Sequence, residues 1–178
     1  MQRLTLIGYR ACGKSTVGRL VAARLAWPFV DADHAIEERL GEAIAPFFRR
    51  AGEAAFREVE ATVLATLLAG EAPLVLATGG GVVERQGNCD LLRERGGSVV
   101  YLRATAAVVQ ERLRHAQGGR PSLTGAGVAE EAPAIMARRD PLYRAVATHC
   151  EDSGPTAEGV ADRLVIFMER QMGPPAAG

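Results

Sequence analysis

Lys14 is the only lysine in a chain of 178 residues whose other basic residues are all arginine. It stands in "GYRACGKST", Gly8 to Thr16, where Gly8-x4-Gly13-Lys14-Ser15 fits the spacing GxxxxGK[ST]. Residues of these types in this order can cradle a polyphosphate. The backbone N–H groups of a glycine-rich turn converge on one anion at the start of a helix, where the helix dipole adds to the field. A lysine ammonium is a compact point charge that bridges β- and γ-phosphates, whereas the planar fork of arginine would crowd the turn. Arginine can therefore replace lysine everywhere in this chain except here. Ser15 offers a hydroxyl to Mg2+ and Thr16 one to an α-phosphate oxygen, while Gly8, Arg10, Ala11, Cys12 and Gly13 complete the loop. The expected ligand is ATP with Mg2+. Cys12 is read as a small residue that fits the turn.

A phosphate loop names a donor and leaves the acceptor open. Asp31 and Asp33 close the segment "PFVDAD", where one carboxylate can face the metal and the other an acceptor hydroxyl; a helix N-cap pair is the plainer alternative. In "GEAAFREVE", residues 52–60, Arg57 and Glu60 stand at i, i+3 on one helix. They are either a surface ion pair or a buried arginine held so that its fork meets a substrate carboxylate. Gly79, Gly80 and Gly81 follow a strand in "ATGGG", and a run of glycine lets a ligand approach the backbone closely. Arg138 and Arg139 end a helical pattern in "RRDPLY". His34, His115 and His149 show no metal-ligand spacing, and Trp27 reads as core.

The elements that must position these residues alternate. Apolar strand runs at 3–9, 28–33, 73–81, 97–104 and 146–150 are separated by helical patterns at 13–25, 35–68, 105–116, 130–146 and 156–171, with Thr156 as an N-cap for the last. Strands and helices in alternation imply a parallel sheet covered on both faces, a three-layer α/β/α domain over residues 1–172 with a frayed tail at 173–178. Ligands of such sheets bind beyond the carboxyl ends of the strands, where "GYRACGKS", "DAD" and "TGGG" all fall. A segment glycine-rich at both ends, 116–127, suits a mobile lid carrying Arg120. A formal net charge of zero gives no global attraction to nucleic acid or an anionic membrane. No apolar run is long enough to span a bilayer. The strand that begins at once leaves no room for a signal peptide, and three cysteines without a CxxC pair fit a reducing compartment, so a cytoplasmic protein is expected.

Taken together, the phosphate loop, Asp31/Asp33, "GEAAFREVE", Gly79–Gly81, "GGRPSL" and Arg139-Asp-Pro-Leu-Tyr143 resemble the shikimate kinase family over nearly the whole chain. The resemblance implies a P-loop kinase with a five-stranded sheet of order 2-3-1-4-5, monomeric and with no partner beyond ATP and shikimate. It implies that Asp33 orients the attacking shikimate hydroxyl and that Arg57 and Arg139 clamp the shikimate carboxylate beside Gly79, Gly80 and Gly81. Asp31 would support Mg2+ through water, next to Ser15, and Arg120 would close on the transferring phosphate together with Lys14. Arg114 and "DSGP", 152–155, are placed at the adenine. The lid departs from the family pattern at Ser122, where leucine is usual. A gluconate kinase lacks this set of motifs as a unit, a nucleoside monophosphate kinase differs in loop and lid, and a non-catalytic binding domain would be expected to lose Lys14, Asp33 or the arginines.

Overall fold

A computed structural model of the chain describes residues 2–115 and 127–173. Strands β1 (Arg3–Ile7), β2 (Phe29–Asp31), β3 (Leu74–Ala77), β4 (Ser98–Arg103) and β5 (His149–Asp152) form one sheet in the order β2-β3-β1-β4-β5. Every pairing is parallel. Helices α1 (Lys14–Leu25), α2 (Ala32–Leu40), α3 (Ile44–Ala69), α4 (Gln86–Arg95), α5 (Ala106–His115), α6 (Ala132–Val146) and α7 (Ala157–Met172) connect and cover it.

The strand sequences explain the layering. Central β1 is buried at all five positions, as a parallel strand covered on both faces must be. Alternation then sends Leu4 and Leu6 to one face with Val17, Val21, Val100, Leu102 and Leu164. Ile7 goes to the other face with Leu64, Leu68, Leu76, Val99 and Tyr143. A smaller cluster of Ile36, Ile44, Phe56 and Val63 joins α2 to α3. Register sets the working edge: Asp31 pairs with Ala77 and Ala77 with Leu6, so the segments after β1, β2 and β3 leave the sheet side by side.

Several boundaries differ from the sequence reading, beginning with strand one, which stops at Ile7 and not at residue 9. Strand two stops at Asp31, and Asp33 lies in the first turn of α2, not at a strand end. Strand three stops at Ala77, short of the glycines. The last strand lies at His149–Asp152 because Val146 is buried as the final residue of α6. Helix α4 and a 3-10 turn at Val82–Glu84 occupy a stretch to which no element was assigned. The lid at 116–127, with Arg120 and Ser122, lies outside the described residues apart from Gly127, as does the tail beyond Gly173.

Candidate active site

The phosphate loop fills the gap between β1 and α1. Gly8 has φ 140°, and a Cβ there would stand 2.6 Å from the Leu102 carbonyl oxygen, so the loop leaves β1 pressed against β4. Gly13, at φ 106°, caps α1 without any side-chain bond to the helix N–H groups. That leaves donors at this helix start for an anion. Ala11 takes φ 60°, a left-handed conformation that works against a side chain by roughly 1–2 kcal/mol.

Lys14 is 7% exposed, and its Nζ donates to the carbonyls of Gly8 at 2.8 Å and Tyr9 at 2.9 Å. The ammonium thus lies folded across the loop that carries it, with the buried Cys12 sulfur 3.7 Å away. Ser15 Oγ donates to Asp31 Oδ2 at 2.5 Å. The other Asp31 oxygen accepts from the Asp33 backbone N–H at 3.0 Å, so Asp31 is the N-cap of α2 as well as the neighbour of Ser15. Among the described residues no three His, Cys, Asp or Glu side chains gather into a metal cage. One hydroxyl and one carboxylate, both hard oxygen donors, fit a Mg2+ ion that takes its other ligands from phosphate and water.

Ala11, Gly13, Lys14, Ser15, Thr16, Arg112 and Ala157 line a hollow over the loop. Arg112 also lines a second hollow, bounded by Val108, His115 and the run Ser153–Pro155. Arg112 Nη1 donates to the Ala11 carbonyl at 3.0 Å. Arg114, assigned to this place from the sequence, lines neither hollow. Two residues on a helix turn the side chain through about 200°, so Arg112 faces the loop and Arg114 faces away. The Ser153-Gly154-Pro155 segment, also assigned to the adenine from the sequence, lines the second hollow.

On the other side of the loop, α3 carries Arg57. Gly52 breaks α3 with φ 82°, and the turn after it sets Phe56 fully into the core and Arg57 beside the glycine run. Arg57 Nη1 donates to Glu60 at 2.8 Å, and Nη2 donates to Glu53 and to Glu84 Oε2, each at 2.9 Å. Its side chain is 14% exposed and that of Glu60 3%, which favours the held arginine over the surface ion pair. Burial works most strongly against the Arg57 charge, yet Glu60, Glu53 and Glu84 together hold its pKa above the ordinary arginine value.

Arg139, 2% exposed, comes from α6. Its Nη1 donates to the Gly80 carbonyl at 3.1 Å and its Nη2 to Glu84 Oε2 at 2.6 Å. Tyr143, one turn on, also donates to the Gly80 carbonyl. Arg57 and Arg139 therefore converge on one carboxylate oxygen. Gly81 packs beneath them: a Cβ there would stand 2.3 Å from Arg57 Nη1, so the guanidinium would have to shift. A Cβ on Gly80 would stand 3.0 Å from the Arg10 backbone nitrogen, which seats the glycine run against the phosphate loop. Gly79 accepts from the Val82 N–H, closing the turn that leads into the 3-10 turn. Asp33 lines a hollow with Arg19, Phe29 and Asp31. Sequence reasoning missed Glu84 and Arg112. Glu84 carries no signal beyond its place three residues after Gly81, and Arg112 would have needed the helix phase.

A 2-3-1-4-5 parallel sheet with a phosphate loop at its central strand and an arginine pair beside it defines a P-loop kinase for a small molecule. The family model described as shikimate kinase matches residues 10–169, and the chain belongs to the shikimate kinase family, whose members are ATP-dependent transferases. It is 50% identical over 143 residues to the shikimate kinase of Paracidovorax citrulli, covering 80% of this chain and 77% of that protein. Identity is 44% over 170 residues with the shikimate kinase of Oleidesulfovibrio alaskensis, across 94% of this chain and 98% of the relative. Among solved structures, shikimate kinase from Acinetobacter baumannii in complex with shikimate superposes with a TM-score of 0.87 at 34% identity, over 94% of this chain and 93% of that one.

Proposed function

We propose that the chain transfers the γ-phosphoryl group of ATP to the 3-hydroxyl of shikimate, giving shikimate 3-phosphate and ADP on the route to chorismate and the aromatic amino acids. The observation that carries this reading is the convergence of Arg57 and Arg139 on one carboxylate oxygen, beside a glycine run that touches the phosphate loop. A rigid acid gripped by two guanidinium groups is fixed in orientation, which lets its hydroxyl lie in line with the phosphoryl group. The hydroxyl oxygen bonds to the γ-phosphorus as the bond to the β,γ-bridging oxygen breaks. The transition state is loose, so Asp33 orients the hydroxyl first and accepts its proton late.

Lys14 moves from its carbonyl partners onto the β- and γ-phosphates, and Arg120, placed by sequence position alone, faces the charge on the moving group. Ser15 would hold Mg2+ directly and Asp31 through water, and the ion when bound neutralises phosphate charge. Arg112, with the Ser153–Pro155 segment, bounds the space we assign to adenine. No helix among the described residues is long and apolar enough to cross a membrane. With a net charge of zero the chain has no global attraction for nucleic acid or an anionic membrane, and we read it as a cytoplasmic monomer that takes ATP and shikimate.

The test is ADP release with Mg-ATP and, in separate reactions, shikimate, quinate, gluconate, AMP or water as acceptor. Turnover with shikimate alone is the expected result. Turnover with gluconate or AMP in its place would keep the phosphate loop and discard the assignments of Asp33, Arg57 and Arg139.

A further inference from the structure

Glu84 already sits in the carboxylate clamp. Its Oε2 accepts from Arg57 Nη2 at 2.9 Å and Arg139 Nη2 at 2.6 Å, the bridging position that one oxygen of a bound acid would take. Its Oε1 accepts from Arg138, whose side chain is 64% exposed. The backbone of Glu84 is fixed, because it ends the 3-10 turn after Gly81, donates to the Gly81 carbonyl at 3.0 Å and follows the buried Val82 and Val83. We propose that Glu84 is an internal stand-in for the substrate carboxylate, which shikimate displaces from Arg57 and Arg139 while Arg138 keeps hold of it. This rests on the assignment of Arg57 and Arg139 as the clamp.

Charge and burial both call for such an exchange. Arg57, Arg138 and Arg139 face Glu53, Glu60 and Glu84, so the cluster is neutral as it stands. A further carboxylate arriving with Glu84 in place would find no net positive charge to bind. The Arg139 side chain is 3% exposed, and its Nε has no hydrogen-bond partner among the described residues. A guanidinium this deep needs a carboxylate at all times, since a buried charge without a partner is strongly unfavourable. Glu84 meets that need when shikimate is absent, and shikimate meets it when bound. Arg138 lies on the solvent side and already holds the second Glu84 oxygen, so the displaced carboxylate need not become unpaired. The consequence is a set point for affinity. Free shikimate competes with a tethered carboxylate, and its apparent affinity falls by the fraction of time the clamp is occupied from within.

The test is steady-state kinetics of Glu84→Gln and Arg138→Ala on the full chain, varying shikimate at saturating ATP and then the reverse. Gln keeps the shape of Glu84 and removes its charge, so the shikimate KM should fall by about threefold or more while the ATP KM moves less. Arg138→Ala removes the outer partner from an exposed position and should raise the shikimate KM. In the double variant the Arg138 effect should disappear, because it acts only through Glu84. A rise in shikimate KM for Glu84→Gln would overturn the proposal and make Glu84 a support of the clamp. Should Glu84→Gln not fold, an unchanged shikimate KM in Arg138→Ala overturns it as well. Arg57→Ala and Arg139→Ala, run alongside, separate the two claims. If they raise the shikimate KM far more than the ATP KM, the clamp stands whatever Glu84 does. If both ligands lose equally, the clamp itself is misplaced.

Discussion

Lys14 shows how one side chain can be tied to its position by shape as well as charge. It is nearly buried, and its ammonium fits between the Gly8 and Tyr9 carbonyls in a loop where Gly8 is already pressed onto β4. A guanidinium is wider, carries its charge across a plane and has five donors in a fixed fork. It could not take the same seat without opening the loop. Lys14→Ala should therefore lower kcat by about 10²-fold or more, the scale found when a group stabilising transition-state charge is removed. Lys14→Arg, which keeps the charge, should fall nearly as far. Turnover numbers for both variants, with circular dichroism to establish that each is folded, check this. An arginine variant close to the parent in turnover would show that charge alone matters at this site.

At the scale of elements, the glycine run after β3 is the part that joins the two halves of the site. Gly80 backs onto the phosphate loop, and Gly81 lies under a guanidinium that Glu53, Glu60 and Glu84 hold in place. A methyl group at Gly81 cannot be accommodated by a small shift of Arg57 without breaking one of those pairs. Gly81→Ala should raise the shikimate KM by about tenfold or more and leave the ATP KM nearly unchanged, because a misplaced positioning group weakens the ligand it orients. Kinetics with each substrate varied in turn measure this. The same elements show what was legible beforehand. Strands β1, β3 and β4 could be read because strands covered on both faces are apolar runs ending in loop residues. Helix α4 could not, since it buries only Asn88, Cys89 and Leu92 and has no continuous apolar face. Edge strand β5, "HCED", is polar and half-buried, and the apolar Val146 before it drew the reading three residues early. In the site, Arg57 and Arg139 could be read from motifs, whereas Arg112 depended on helix phase. Glu84 depended on a 3-10 turn that no residue pattern announced.

Across the whole molecule, binding and stability are assigned to opposite ends of the sheet. The phosphate loop, Asp31 and the glycines leave the carboxyl ends of β1, β2 and β3. At the amino end of β1, Arg3 is 1% exposed and its Nη1 donates to the carbonyls of Leu68 at 3.2 Å and Arg95 at 2.6 Å, while Nη2 donates to the Gly70 carbonyl. Those oxygens belong to the last turn of α3, to the Gly70 that caps it and to the last residue of α4, so one cation satisfies two helix C-termini and opposes the negative ends of both dipoles. Burial, aided by the charge of Arg95, lowers the Arg3 pKa below the ordinary arginine value. Arg3→Leu keeps an extended apolar stem but leaves the three carbonyls without their donor, a loss of about 3 kcal/mol. In a domain of this length that corresponds to a fall in Tm of about 6–12 °C. A five-residue strand spans about 17 Å, so the substrate clamp should not register the change. Both KM values should stay within about twofold of the parent at 25 °C, because sites this far apart and without shared partners act independently. Thermal unfolding and steady-state kinetics on the same preparation decide it. An unchanged Tm would mean that water already reaches those carbonyls. A lower Tm together with a raised shikimate KM would mean that α3, whose C-terminal end Arg3 holds and which carries Arg57, transmits strain from one end of the sheet to the other.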